Sequence, residues 1–341
     1  MTNKRLLCKT CSNLLILNGF TSTGKKRWRC TFCGSSRIYL KEKDELYDLF
    51  CKYILYGMTY ETLSRLSGYS LSGLRRRFLI YLEKPPPIDI SVLPKKTPVV
   101  LLADGLWFTR WFVLLLYRES TSLKILHIST GTRERKSQVS ADVLSLSLKG
   151  WNFCGFVTDG SKPILGALQK VYPRVPHQVC MAHMHRNIVN ALGRHPKDIR
   201  VLFLKRLTDL VWSINTFELK NSWEIIFDFW VRTYQTFIDE KRMDTEGRWW
   251  YIHKGVRTAV NRINSMLEQS FTYLQYPLLP RTTNQIEAQC GHIGKRFLEH
   301  RGLSRKRWKN FLSWFVFFYN ENIDRKEADR KSREDIKKHT K

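Results

Sequence analysis

The sequence predicts an α/β chain in which a mixed sheet, covered by helices on both faces, follows a cysteine-rich segment and a helical hairpin. Three observations carry that expectation. Two apolar runs end alike in Asp-Gly, at Ala103-Asp104-Gly105 and Thr158-Asp159-Gly160. Strand-like and helix-like segments alternate between residues 98 and 180. Two Cys-x-x-Cys pairs lie ahead of them, at Cys8, Cys11, Cys30 and Cys33.

Composition narrows the field. The chain has 341 residues, 43% of them hydrophobic, enough for a packed core and for two or three domains. Its formal net charge is +28, spread along the chain rather than held in one tail. A field of that sign favours nucleic acid or anionic membrane surfaces. No apolar run approaches the length of about eighteen residues needed to span a membrane. The N-terminus is polar and basic, without a signal-peptide core, so a soluble intracellular protein is expected. In a reducing compartment paired cysteines point to metal rather than disulfides.

Residues 1–42 read as a zinc ribbon. Eighteen residues separate the two Cys-x-x-Cys knuckles, which is tetrahedral zinc spacing, and the intervening chain supplies a hairpin. Lys25, Lys26, Arg27 and Trp28 fall on its second strand, where they could track phosphates and stack on bases. A structural zinc with a solvated basic face is the plainer alternative.

Residues 43–83 read as helical, with Leu46, Leu49, Phe50 and Tyr53 at helical spacing. Thr59 and Ser70 are candidate N-caps on either side of Ser67-Gly68-Tyr69, which gives a helix-turn-helix pattern. The second helix would offer Ser70, Ser72, Arg75 and Arg76 to a major groove, with Leu71, Leu74 and Phe78 facing inward. An ordinary helical hairpin with a basic face is again the alternative. Residues 84–97, containing Pro85-Pro86-Pro87, form a stiff linker.

The run 98–103 reads as a buried strand leading into Asp104, and an Asp-Gly pair taken alone is ordinary turn chemistry. Residues 111–117 and 123–128 continue as strands and 137–149 as a helix. Residues 152–158 form a strand ending at Asp159, 161–171 a helix and 173–180 a short strand. That is the element order of a ribonuclease-H-like core. Its first and fourth strands lie side by side, so Asp104 and Asp159 would meet at neighbouring strand ends. Two carboxylates that close repel unless divalent cations lie between them, and oxygen ligands suit Mg²⁺ or Mn²⁺.

Residues 194–280 read as an all-helical insertion whose many aromatics are mostly core, with Trp249 and Trp250 the best exposed candidates. In Thr282-Thr283-Asn284-Gln285-Ile286-Glu287 a helix begins, and Glu287 falls in its first turns. That carboxylate can face the two aspartates, or it can simply complement the helix dipole. The core would close with residues 281–322. The tail, 323–341, is charged, lacks periodic apolar positions and is expected to be disordered.

These residues resemble insertion-sequence transposases of the Mutator-related superfamily, in the variant with an N-terminal zinc-binding ribbon. Ala103-Asp104-Gly105, Thr158-Asp159-Gly160, Cys180-Met181-Ala182-His183 with Arg186-Asn187, and the 282–287 block carry the likeness, which covers nearly the whole chain. The resemblance implies a DDE triad of Asp104, Asp159 and Glu287 holding two Mg²⁺ (or Mn²⁺) ions. It implies that the ribbon and helix-turn-helix bind double-stranded DNA at terminal inverted repeats. The basic run with Arg296, Arg301 and Arg305 would hold DNA across the site. The ends would be hydrolysed, and the freed 3′-hydroxyls would then attack target DNA. A homodimer or larger synaptic assembly in a prokaryotic cytoplasm, at the nucleoid, is implied as well. Cys180 and His183 would support the active site or position DNA, unless they are only a buried thiol and a helix-start histidine. Two rival functions are a non-catalytic, zinc-dependent DNA-binding regulator derived from a transposase, and a nuclease that cuts without joining.

Overall fold

The computed structural model describes residues 8, 11, 13–21, 26–38, 43–87, 97–109, 112–300 and 303–339. They fall into two units, Met1–Tyr81 and Leu82–Lys341.

In the first unit β1 (Leu15–Phe20), β2 (Lys26–Cys30) and β3 (Ser36–Ile38) form an antiparallel sheet in chain order. The register sets Leu15 opposite Cys30. Its core is tiny, consisting of Cys8, Leu15 and Cys30 with Cys11 and Trp28 packed against it. So little apolar burial is small support for a fold, and a metal bound by the cysteines would add to it.

Three helices follow, α1 (Lys43–Tyr56), α2 (Tyr60–Ser67) and α3 (Leu71–Glu83). Both expected caps form. Thr59 Oγ1 accepts from the Thr62 amide at 3.2 Å, and Ser70 Oγ from the Gly73 amide at 3.1 Å. Phe50, Tyr53, Leu63, Leu74 and Phe78 are buried together, with the Phe50 and Phe78 rings edge-on at 5.1 Å. Leu71 does not face inward as expected; it is 39% exposed, one turn ahead of the contacts made by Leu74 and Phe78.

The second unit is built on β4 (Val99–Thr109), β5 (Phe112–Glu119), β6 (Ile125–Gly131), α4 (Lys136–Leu148), β7 (Phe153–Thr158), α5 (Lys162–Val171) and β8 (His177–Val179). The five strands form one mixed sheet in the order β6-β5-β4-β7-β8. β4 is central, antiparallel to β5 and parallel to β7. Its apolar run is what a strand covered on both faces requires, and Val99 to Ala103 are all buried.

One expectation is corrected here. Asp104-Gly105 is neither a turn nor the end of a strand. β4 runs on to Thr109 because Leu114, Leu115 and Leu116 of β5 continue the ladder, with Asp104 opposite Leu116. What stops is β7. Its last pair with β4 is Ala103↔Thr158, so Asp104 and Asp159 both lie one residue past that pair.

The remaining elements are α6 (Met181–Leu192), α7 (Ile199–Asp209), α8 (Phe217–Thr233), α9 (Gln235–Ile238), β9 (Lys241–Met243), β10 (Trp249–Tyr251), α10 (Lys254–Ser270), α11 (Asn284–Glu299) and α12 (Arg305–His339). The insertion is therefore not all-helical, because β9 and β10 pair as an antiparallel hairpin. Three-residue strands are too short for alternation to show. Their turn is built by Asp244, whose Oδ1 accepts from the amides of Glu246 and Arg248 at 2.9 Å each. The tail is also corrected from disorder to helix. It continues α12, already nucleated by buried Trp308 to Phe318, with helix formers and i,i+4 pairs such as Glu321–Arg325.

Side chains from other elements reach the backbone at both edges of the sheet. At β6, Asn320 of α12 accepts from the Ile125 amide at 3.0 Å and donates to its carbonyl at 2.9 Å. At β8, Thr272 Oγ1 donates to the His177 carbonyl at 2.8 Å, and Gln178 of the strand donates from its side chain to the Ser270 carbonyl and accepts from the Tyr273 amide. Among the described residues no helix is long and apolar enough to cross a membrane.

Candidate functional site

The cysteine centre comes from the ribbon. Cys8 and Cys33 sulfurs lie 3.6 Å apart, and Cys11 and Cys30 sulfurs 3.4 Å apart. All four ligand atoms fall within 4.8 Å of one another. Cys33 is pushed up to about 12: the Ser35 backbone hydrogen bond favours its thiolate, but the other three thiols oppose it. Thiols competing for protons in so small a volume fit a cation that replaces those protons, and the cluster could hold a structural zinc.

A second centre lies past the ends of the β4–β7 pairing. Asp104 is 7% exposed and accepts the Gly105 amide at 2.8 Å. Burial, and then the charge of Asp159, push its carboxyl up to about 7. Asp159 accepts the Ser161 amide at 2.9 Å, and burial raises it too. Gly160 turns the chain into α5 at φ +81°, with Val179 Cγ1 only 2.9 Å from where a Cβ would stand.

Glu287 sits in the first turn of α11. Arg186 of α6 donates to both its oxygens, at 2.8 and 3.3 Å, and His183 Nε2 lies 3.2 Å from Oε1. The Arg186 hydrogen bond is the main reason its carboxyl lies below the ordinary value. Asp104 senses the charges of Asp159, His183 and Glu287, so the expected carboxylates lie within electrostatic reach of it.

Two buried side chains dock the helix that carries Glu287. Arg118 of β5 donates through one nitrogen to the Gln285 carbonyl at 2.6 Å and to Gln289 Oε1 at 3.1 Å. Cys180 Sγ accepts from the Thr283 amide at 3.2 Å, while the Cys180 amide donates to the Thr158 carbonyl at 2.7 Å. Cys180 thus ties the residue before Asp159 to the cap of the Glu287 helix. It is 0% exposed, so it presents no nucleophile. Burial pushes its thiol up, but hydrogen bonds with His183 and Thr283 outweigh that and leave it lowered. His183 in turn is raised to about 8, first by its hydrogen bond to Cys180.

Asp104 and Asp159 are adjacent, oxygen-only and raised by burial, which marks negative charge short of a partner. Glu287 has its partners in Arg186 and His183. Among the described residues the cysteines are the group drawn to metal-ligand separation, and the three carboxylates are not. Neither Arg118 nor a fourth carboxylate at the site, Glu134, belongs to any sequence motif.

The expected DNA-facing residues divide. Ser70, Ser72, Arg75 and Arg76 are exposed along α3 and its cap, and Arg27 is exposed on β2. Lys25 lies outside the described residues, and Lys26 opens β2. Trp28 packs half-buried against the cysteine core. Arg296 is corrected, because it is 8% exposed and bonds Glu299 one turn along α11. Arg301 lies outside the described residues, and Arg305 begins α12. Trp249 and Trp250 are 55% and 46% exposed, with Lys241 Nζ 4.5 Å from the Trp249 ring centroid. Compared with known proteins, the chain matches no protein-family model and no curated protein sequence.

Proposed function

We propose that the protein is a DDE transposase built on a ribonuclease-H-like domain. On this reading it binds the terminal inverted repeats of an insertion sequence, cleaves the ends and joins the 3′-hydroxyls to target DNA. The observation that carries the reading is Asp104 and Asp159, each one residue past the last pair of two adjacent parallel strands, with the charge of Glu287 on α11 felt at Asp104.

Asp104, Asp159 and Glu287 would hold two Mg²⁺ (or Mn²⁺) ions. When bound, these supply activation of the attacking oxygen and charge stabilisation of the leaving one. Around them the chain provides positioning. Arg186, with its side chain about half exposed, and His183 put positive charge beside the carboxylates, where a scissile phosphate would sit. Cys180 and Arg118 hold the Glu287 helix in register with β7 and β5. Ser72, Arg75 and Arg76 suit the phosphates and base edges of a groove.

The test uses duplexes carrying the element ends, incubated with the zinc-loaded protein and Mg²⁺. Nicks leaving 3′-hydroxyls, followed by joined products, are expected. Asp104→Asn, Asp159→Asn and Glu287→Gln should each abolish both while leaving DNA binding intact. Cleavage without joining would make the protein a nuclease. The regulator reading is favoured by one observation, the engagement of Glu287 by Arg186 and His183. Specific binding by a wild-type protein that never cleaves would establish it.

A further inference from the structure

Glu134, in the loop between β6 and α4, stands outside the three-carboxylate reading, yet it is held on both sides of that site. Its Oε1 accepts from Trp107 Nε1 at 3.2 Å, on β4 three residues past Asp104. Its Oε2 accepts from Ser161 Oγ at 2.8 Å, in the turn two residues past Asp159. The same Ser161 gives its backbone amide to Asp159 Oδ1 at 2.9 Å.

Two further features show that the contact is built. A Cβ on Gly105 would stand 2.1 Å from Glu134 Oε1, so the glycine after Asp104 is the space in which this carboxylate lies. Ser161 occupies the N-cap of α5 but makes no side-chain cap bond; its hydroxyl goes to Glu134 instead. A serine at that position ordinarily stabilises its own helix. A half-buried carboxylate facing another is held against repulsion, and neither an indole nor a hydroxyl neutralises it.

We propose that Glu134 is a positioning residue of the acidic site: through Ser161 it orients Asp159, and by bridging to Trp107 it sets the spacing of Asp104 and Asp159. The proposal rests on the reading of these two aspartates as a cation-holding pair. Glu134 acts on the cation through its neighbours, as outer groups around metal ligands do.

Mn²⁺ binding to the full, zinc-loaded chain tests this, read from the free Mn²⁺ resonance and independent of any DNA reaction. Glu134→Ala and Ser161→Ala should each weaken Mn²⁺ binding about tenfold, within the range for groups that orient metal ligands. The double variant should be no weaker than Glu134→Ala alone, because Ser161→Ala breaks only a link that Glu134→Ala already removes. Glu134→Gln, which keeps an acceptor oxygen, should recover part of the loss. Additive losses, or wild-type affinity in Ser161→Ala at an unchanged melting temperature, would overturn the proposal. An Asp104→Asn protein that binds Mn²⁺ as well as wild type would instead overturn the cation-pair reading, and the proposal with it.

Discussion

Asp104 and Asp142 are both buried aspartates, and their carboxyls move in opposite directions. Burial raises both. At Asp104 the neighbouring Asp159 adds to that, and the carboxyl reaches about 7. At Asp142 hydrogen bonds from three side chains reverse it, His127 Nε2 at 3.4 Å first, then Ser129 Oγ and Gln138 Nε2 at 2.8 Å, and Tyr117 Oη also donates to it at 2.9 Å. The net shift there is downward. Asp142 therefore serves the core, whereas Asp104 holds negative charge that the fold leaves uncompensated. Asp142→Asn should cost about 2 kcal/mol at neutral pH, the scale of a charge-assisted buried hydrogen bond. An unfolded aspartate titrates near 3.9, roughly. The native carboxyl lies lower, so the wild-type advantage is full above that value and is lost as pH falls through the native one. Thermal melts of both proteins between neutral and acid pH should converge at the acid end. Convergence at the alkaline end instead would contradict the assignment.

At the scale of elements, the sheet depends on side chains that imitate strands. β6 and β8 would each present an edge of unpaired backbone. At β6 Asn320 occupies that position with both a donor and an acceptor, and at β8 Thr272 Oγ1 donates to the His177 carbonyl at 2.8 Å. Asn320→Ala leaves a buried amide and carbonyl of Ile125 without that partner, at about 1–3 kcal/mol for each group. A fall in melting temperature of several degrees is expected, while Lys326→Ala, on the exposed face of the same helix, serves as the comparison. A similar argument applies to α11. Arg118→Met keeps the volume of the stem but removes both hydrogen bonds to Gln285 and Gln289. It should lower DNA cleavage at least about tenfold through misplacement of Glu287, with DNA affinity unchanged. Equal loss of binding and cleavage would assign Arg118 to DNA contact instead.

At the scale of the whole molecule, a net charge of +28 and a cysteine centre make separable demands. Metal analysis should find one zinc per chain, and Cys30→Ser should lose it along with DNA binding. The melting of Leu82–Lys341, followed by hydrogen exchange in β4, should change little. DNA affinity should fall steeply with salt, because counterions released from phosphates drive binding by so basic a chain. Affinity insensitive to salt would argue against a phosphate-tracking surface.

What could be read from residues in order was local. Apolar runs, Cys-x-x-Cys spacing, the Thr59 and Ser70 caps and the succession of strands and helices are set within a few turns of chain, and they form as expected. The juxtaposition of Asp104 and Asp159 also followed, since the element order leaves few ways to pair the strands. The misreadings have one cause. Whether Asp104-Gly105 turns or continues depends on β5, whether Arg296 meets solvent depends on what covers α11, and a three-residue hairpin has no period. Cys180 meets Thr283 across 103 positions, and Arg118 meets Gln289 across 171. Glu134 reaches Asp159 only through a serine on another loop. Contacts at such separations leave no spacing to read, because packing and not the covalent chain brings them together.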